Sequence, residues 1–124
     1  MTCRATRTKK NNKTYFFRSG LEAECYKILE NKRDIAKYAV ESLEIEYNYE
    51  GKIRRYIPDI LVEYNNGKKE VWEIKPKNQT KMPKNLAKWK AADEYCRRRN
   101  MEFMVLTERG IKMLKKIANL QQAP

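Results

Sequence analysis

Three side chains carry the chemistry open to this chain: Asp59, Glu73 and Lys75, all within RYIPDILVEYNNGKKEVWEIKPK, residues 55–77. Two strand-like runs, Arg55 to Tyr64 and Lys68 to Lys75, flank Asn65-Asn66-Gly67, residue types that tolerate positive φ and so signal a hairpin. Strand side chains alternate between faces, so Glu73 and Lys75 share one face and Trp72 and Ile74 take the other. The turn decides where Asp59 falls. A two-residue loop at Asn66-Gly67 pairs Ile60 with Glu73, sets Glu63 against Glu70, and turns Asp59 away from Glu73. A three-residue loop with Gly67 left-handed pairs Asp59 with Glu73, Ile60 with Trp72, Glu63 with Lys69 and Ile57 with Lys75. The second register gives an apolar pair and an opposite-charge pair, and it is the one expected. Two carboxylates at cross-strand distance repel unless a cation lies between them. Their oxygens suit magnesium or manganese. A lysine beside such an ion can orient or deprotonate a water, or steady charge building on a phosphate. The plainer alternative is a hairpin with charges on its solvent face.

The rest of the composition narrows the choice. At 124 residues the chain makes one domain. Its 28 Lys and Arg against 16 Asp and Glu give a formal charge of +12, which suits a polyanionic partner, most simply nucleic acid. No stretch is apolar enough to span a bilayer, so no membrane role is expected. The three cysteines, Cys3, Cys25 and Cys96, have no paired spacing, and the N-terminus lacks an apolar leader; both fit free thiols in a cytoplasm. There is no histidine, so hydrolysis would have to use carboxylates, lysine or metal-bound water.

Several elements must position those side chains. Residues 1–13 read as a basic flexible arm able to lie along phosphates, and residues 14–120 as the folded domain. Ser19 and Glu22 form a capping box for a helix over 19–31, with Leu21, Cys25, Ile28 and Leu29 as its apolar stripe. Residues 31–42 read as a connector with helical character. Leu43 to Tyr49 alternates as a half-buried strand and turns at Glu50-Gly51-Lys52 toward Arg54 and Arg55. These arginines could hold phosphate near the acids or simply guard a strand edge. Pro76 ends the strand after Lys75. A loop carrying Lys77, Lys81 and Lys84 follows, a candidate DNA clamp free to close beside the acids. A helix over Leu86 to Arg99 buries Leu86, Trp89, Ala92 and Cys96 and carries Lys88 and Lys90. Asn100 ends it, Met101 to Leu106 forms a buried strand, and Glu108 to about Ala118 a last helix with Ile111, Leu114 and Ile117 on one side. Gln121 to Pro124 reads as a frayed tail. The order αβββαβα describes an α/β fold with a mixed four-stranded sheet flanked by helices. Its last strand, reached through a helical crossover, should lie parallel to its neighbour.

Pro58-Asp59 followed by Glu73-Ile74-Lys75 resembles the PD-(D/E)XK nuclease signature, whose core is the restriction-endonuclease-like fold. The likeness extends through YFFRSGLE, KWKAADEYCRRRNMEFMVLTERGI and the Thr80-x-x-Pro83 element after EIKPK. In these segments the chain is similar to the head-completion nucleases of tailed phages and to the N-terminal nuclease domain of the TnsA transposition endonucleases. The resemblance implies a Mg2+- or Mn2+-dependent endonuclease acting on DNA ends or branched DNA. Asp59 and Glu73 would be metal ligands, with the Ile74 carbonyl as a further one. Glu22 would be the first-helix carboxylate, serving a second ion or its bound water, with Glu24 as the runner-up. Lys75 would act on the water or the phosphate. Lys77, Lys81, Lys84, Lys88, Lys90, Arg54 and Arg55 would contact DNA. Nucleases of this fold often cut both strands as homodimers, and a viral source would place the chain in host cytoplasm or in the virion. A TnsA-like strand cleaver and a Holliday-junction resolvase share the fold. A basic DNA-binding or virion structural protein that keeps the fold without the reaction is the rival of a different class.

Overall fold

In the computed structural model, residues 4–7, 10, 14–17 and 20–122 are described. Two short strands, β1 (Arg4–Arg7) and β2 (Thr14–Phe17), pair antiparallel. The first falls where a structureless basic arm was expected; most of that arm, and the Ser19 cap, lie outside the described residues. Helix α1 (Gly20–Asn31) follows and buries Cys25, Tyr26, Ile28 and Leu29. The Lys10 ammonium donates to the Leu29 carbonyl and, at 2.7 Å, to that of Lys32. It thereby satisfies acceptors that a helix C-terminus leaves open.

The next segment corrects the sequence reading. Residues expected to form a helical connector make strand β3 (Ile35–Val40), antiparallel to residues 60–64. The register shifts between Ile35 and Lys37, so the buried Ile35 and Tyr38 stand three apart instead of two. A bulge of this kind gives a strand the apolar spacing of a helix. Strands β4 (Ile45–Tyr49) and β5 (Lys52–Tyr56) form a separate hairpin. Its turn places both Glu50 (φ 52°) and Gly51 (φ 72°) in the left-handed region, as the tightest hairpin loop requires. The strand expected at 43–49 therefore exists, but β3 takes its place in the main sheet.

The run from Arg55 to Tyr64 is also divided. Pro58 has no N–H to give a ladder, and the chain leaves β5 at Tyr56 and re-enters the main sheet as β6 (Ile60–Tyr64). Strand β7 (Lys69–Ile74) pairs with it antiparallel: Ile60 opposite Trp72 and Glu63 opposite Lys69. The Gly67 N–H bonds the Tyr64 carbonyl at 3.0 Å, the Tyr64 N–H bonds the Lys68 carbonyl at 2.8 Å, and Gly67 has φ 87°. This is the expected three-residue loop and register. The expected Ile57–Lys75 pair does not form, because Ile57 lies in the break between β5 and β6 and the ladder ends at Ile60 opposite Trp72; the Lys75 N–H meets the Leu106 carbonyl of the neighbouring strand at 3.0 Å.

Helix α2 (Pro83–Arg98) begins with proline in its first turn, earlier than the apolar pattern suggested. Asn100, at φ 57°, ends it. Strand β8 (Glu102–Leu106) lies parallel to β7, as a helical crossover demands. Helix α3 (Glu108–Gln122) closes the fold and takes in part of the expected tail. The mixed four-stranded sheet has the order β3-β6-β7-β8. One of its faces packs Ile60, Val62, Trp72 and Leu106 against Cys25, Ile28, Leu29 and Ile111 of α1 and α3. A second core joins Ile45, Tyr47 and Tyr56 of the β4–β5 hairpin to Ala92, Trp89 and Tyr95 of α2 and Phe103 of β8. Leu86, assigned to the helix core by spacing, is instead 52% exposed, and Ile117, on the apolar side of α3, is 44% exposed. Among the described residues no helix is long and apolar enough to cross a membrane.

Candidate active site

The break at Pro58 builds the site. Where the ladder would continue, the Asp59 side chain takes over: its Oδ2 accepts the Ile74 N–H at 2.7 Å, while its backbone carbonyl accepts the Glu41 N–H at 2.9 Å. In a strand, one residue's N–H and C=O point to the same edge, so the Ile74 carbonyl faces the Asp59 side. The register brings the Glu73 carboxylate, 5% exposed, against Asp59. Desolvation first, then the neighbouring Asp59 charge, pushes the Glu73 carboxyl up to about 8; Lys75 on the same face pulls the other way without prevailing.

Burial leaves the pair incompletely satisfied. Glu73 Oε1 is buried with no hydrogen-bond partner among the described residues, and so are the Tyr56 hydroxyl and Trp89 Nε1. These three are neighbours: Tyr56 lies between the Glu73 carboxylate and the Trp89 indole. A buried polar atom without a partner costs on the order of 1–3 kcal/mol. A cluster of them is where a ligand belongs. A carboxylate oxygen so placed, beside a second carboxylate and a backbone carbonyl, fits a divalent cation.

Cations rim the pair on one side. Lys88 lies over the Tyr56 ring, 5.7 Å from its centroid. Its own burial, and then Lys75 and Lys84, hold its pKa below the usual lysine value, against a pull from Glu73. Lys75 and Lys84 thus act on Lys88, and of these lysines Lys75 and Lys88 interact with Glu73. The loop before α2 is braced, in contrast to the freely closing clamp expected from sequence. Lys77–Gln79 forms a single 3-10 turn, Thr80 Oγ1 donates to the Lys77 carbonyl at 2.7 Å, and buried Asn85 donates to the Gln79 carbonyl at 2.9 Å. The Lys77 N–H donates to Glu108 at 2.9 Å. Lys77 and Lys81 line a shallow groove with Pro76, Asn78 and Glu108.

Other sequence candidates lie apart. Lys90 is two residues from Lys88, about 200° around the helix, and faces elsewhere. Arg54 and Arg55 point to opposite faces of β5: Arg54 stacks over Tyr49 at 5.6 Å, and exposed Arg55 pairs with Glu44 at 3.0 Å. Glu22 stands half-buried in the first turn of α1. Among the described residues no three acid, thiol or imidazole side chains gather into a ready ligand set, so Glu22 does not join the Asp59–Glu73 pair at ligand distance. It is nonetheless near: the Cys25 thiol, buried in α1, is pushed up by desolvation and then by the charges of both Asp59 and Glu22. Glu24 is engaged by Lys115 at 3.1 Å and Lys27 at 3.5 Å. Sequence reasoning missed Tyr56 and Trp89 as members of the site. The one available signal was that both carry a polar tip on an apolar body.

The family model described as TnsA-like endonuclease N terminal matches residues 32–108, a span that holds Tyr56, Asp59, Glu73, Lys75 and Lys88 but not Glu22. The chain is 31% identical over 122 residues to the head completion nuclease of Enterobacteria phage T4, covering 79% of this chain and 81% of that protein.

Proposed function

The chain belongs to the TnsA-like endonuclease N-terminal family, and from that premise we propose that it is a DNA endonuclease of the phage head-completion type, hydrolysing phosphodiester bonds with a divalent metal held by Asp59 and Glu73. The observation that carries this reading is the Asp59–Glu73 contact, with a buried Glu73 oxygen left without a partner among the described residues and Lys75 and Lys88 close by. Magnesium or manganese suits these oxygens, with the Ile74 carbonyl as an additional donor. When bound, such an ion polarises the scissile phosphate and lowers the pKa of water.

The chain's own residues supply the rest. Asp59 is aimed by the Ile74 N–H and Glu73 is fixed by its strand. Lys75 shares the Glu73 face, where its ammonium can steady negative charge on the phosphate or orient the attacking water. Lys84 and Lys88, with Lys77 and Lys81 along the braced loop, receive the flanking backbone phosphates. Glu22 serves a second ion or its bound water, reached by a small movement of α1. In a phage setting the enzyme would act on DNA in host cytoplasm or at the virion. A TnsA-like strand-cleaving role is the second reading, favoured by the family match.

The test is incubation with linear, nicked, supercoiled and branched DNA in magnesium or manganese. Cleavage by the wild type, lost in Asp59→Ala, Glu73→Ala and Lys75→Ala, supports the proposal. Equal cleavage by these variants, or none by the wild type, favours a basic DNA-binding protein that keeps the fold.

A further inference from the structure

The far wall of the site comes from outside the main sheet. Tyr56 ends β5 and is 4% exposed; Trp89 and Lys88 are adjacent on α2. The Tyr56 hydroxyl sits between the Glu73 carboxylate and the Trp89 indole nitrogen. An indole N–H can only donate, a carboxylate can only accept, and a hydroxyl can do both. The three therefore make one chain of donors: Trp89 N–H to Tyr56 oxygen, Tyr56 O–H to Glu73. No link is aligned, since all three polar atoms are buried without a partner among the described residues.

The same strand shows what an aligned version looks like. Glu70 Oε1 accepts the Tyr64 hydroxyl at 2.5 Å and Trp72 Nε1 at 3.0 Å. One carboxylate on β7 is thus closed by a tyrosine and a tryptophan. Glu73, on the opposite face, has a tyrosine set near it but not closed upon it, and the tryptophan stands behind that tyrosine.

We infer that Tyr56 is a positioning residue, whose hydroxyl, oriented by the Trp89 N–H, fixes the Glu73 carboxylate when that carboxylate takes up a divalent ion. Hydrogen-bond partners behind a metal ligand set its orientation and basicity, and losing one typically costs about 10–100-fold in metal affinity or activity. Tyr56 acts through Glu73 and touches no DNA. Lys88, stacked on the ring, stays free to meet phosphate. This inference rests on the metal-binding reading of Glu73.

The experiment is calorimetric titration of Mn2+ into the full-length chain, wild type against Tyr56→Phe, which removes one oxygen and keeps the ring. Metal-free melting of both proteins checks that the fold is retained. Cleavage is then measured at saturating metal. The expected result is Mn2+ affinity about tenfold weaker in Tyr56→Phe, with the KM for DNA unchanged and kcat at saturating metal within about threefold. Equal Mn2+ affinity in a folded Tyr56→Phe overturns the inference while leaving the metal site in place. No Mn2+ binding by the wild type overturns the metal reading itself, and this inference with it. Should Tyr56→Phe fail to fold, Trp89→Phe removes only the first donor of the chain. Weaker Mn2+ binding there supports the inference, and unchanged binding overturns it.

Discussion

Glu70 and Glu73 lie three residues apart on one strand, both buried, at 9% and 5% exposure, on opposite faces of the sheet. Glu70 is closed by two donors and belongs to the architecture. Glu73 is pressed against a second carboxylate, and among the described residues it keeps one oxygen without a partner and makes no ion pair with the lysines near it. Burial alone does not distinguish them. What distinguishes them is satisfaction: a buried acid with its hydrogen bonds made holds the fold, and one without them is arranged for something that arrives later.

The largest expected effect is on catalysis. Glu73→Gln and Asp59→Ala should each lower magnesium-dependent DNA cleavage by more than about 100-fold, beyond what loss of a supporting residue costs. Glu70→Gln should leave the metal concentration needed for half-maximal cleavage unchanged. Comparable losses at both glutamates would erase the distinction between the two faces.

Stability should show the reverse order. Glu70→Ala strands two buried donors, from Tyr64 and Trp72, and should cost about 2–3 kcal/mol in denaturant unfolding. Glu73→Gln removes a carboxylate held against Asp59 and should be neutral or stabilising at pH 8. A Glu73→Gln protein less stable than Glu70→Ala would contradict the assignment.

Acidity refines the comparison. The Glu73 carboxyl is raised in the folded chain, so the native state binds more protons than the unfolded one between the ordinary value of 4.5 and about 8. Metal-free stability should therefore fall as pH rises through that window and be fully retained below it. Glu73→Gln should flatten this slope in urea titrations at several pH values. Metal binding must expel the same proton, so Mn2+ affinity should rise with pH up to about 8 and then level off.

The smallest effects concern DNA affinity. Lys84→Ala and Lys88→Ala should each reduce the slope of log affinity against log salt by about one. Lys90→Ala should leave it unchanged, because that side chain faces away. A slope that moves equally for Lys88 and Lys90 would show that the cations act as diffuse charge, independent of their convergence on Glu73.

How much of this was legible in the sequence depended on how local the cause was. Asn65-Asn66-Gly67 sets the hairpin register within a few residues, and through it the Asp59–Glu73 contact and the shared face of Lys75. Strand β3 was not legible, because its bulge gives Ile35 and Tyr38 a helical spacing. Leu86 and Ile117 fit helical stripes, but each lies just outside the arc its neighbours cover, which only packing decides. Tyr56 and Trp89 read as core aromatics. The Tyr56 hydroxyl comes near both Glu73 and the Trp89 indole because the β4–β5 hairpin folds onto α2, a long-range event that no short window records. Glu22 was placed by resemblance, and it stands near the pair without joining it.

The most direct test of the central claim is DNA cleavage across a magnesium titration by the wild type, Glu73→Gln and Glu70→Gln in parallel. The account predicts magnesium-dependent cutting by the wild type and by Glu70→Gln at the same metal midpoint, and none by Glu73→Gln at any concentration. Cutting by Glu73→Gln at the wild-type rate, or cutting by the wild type that persists without a divalent ion, would contradict it.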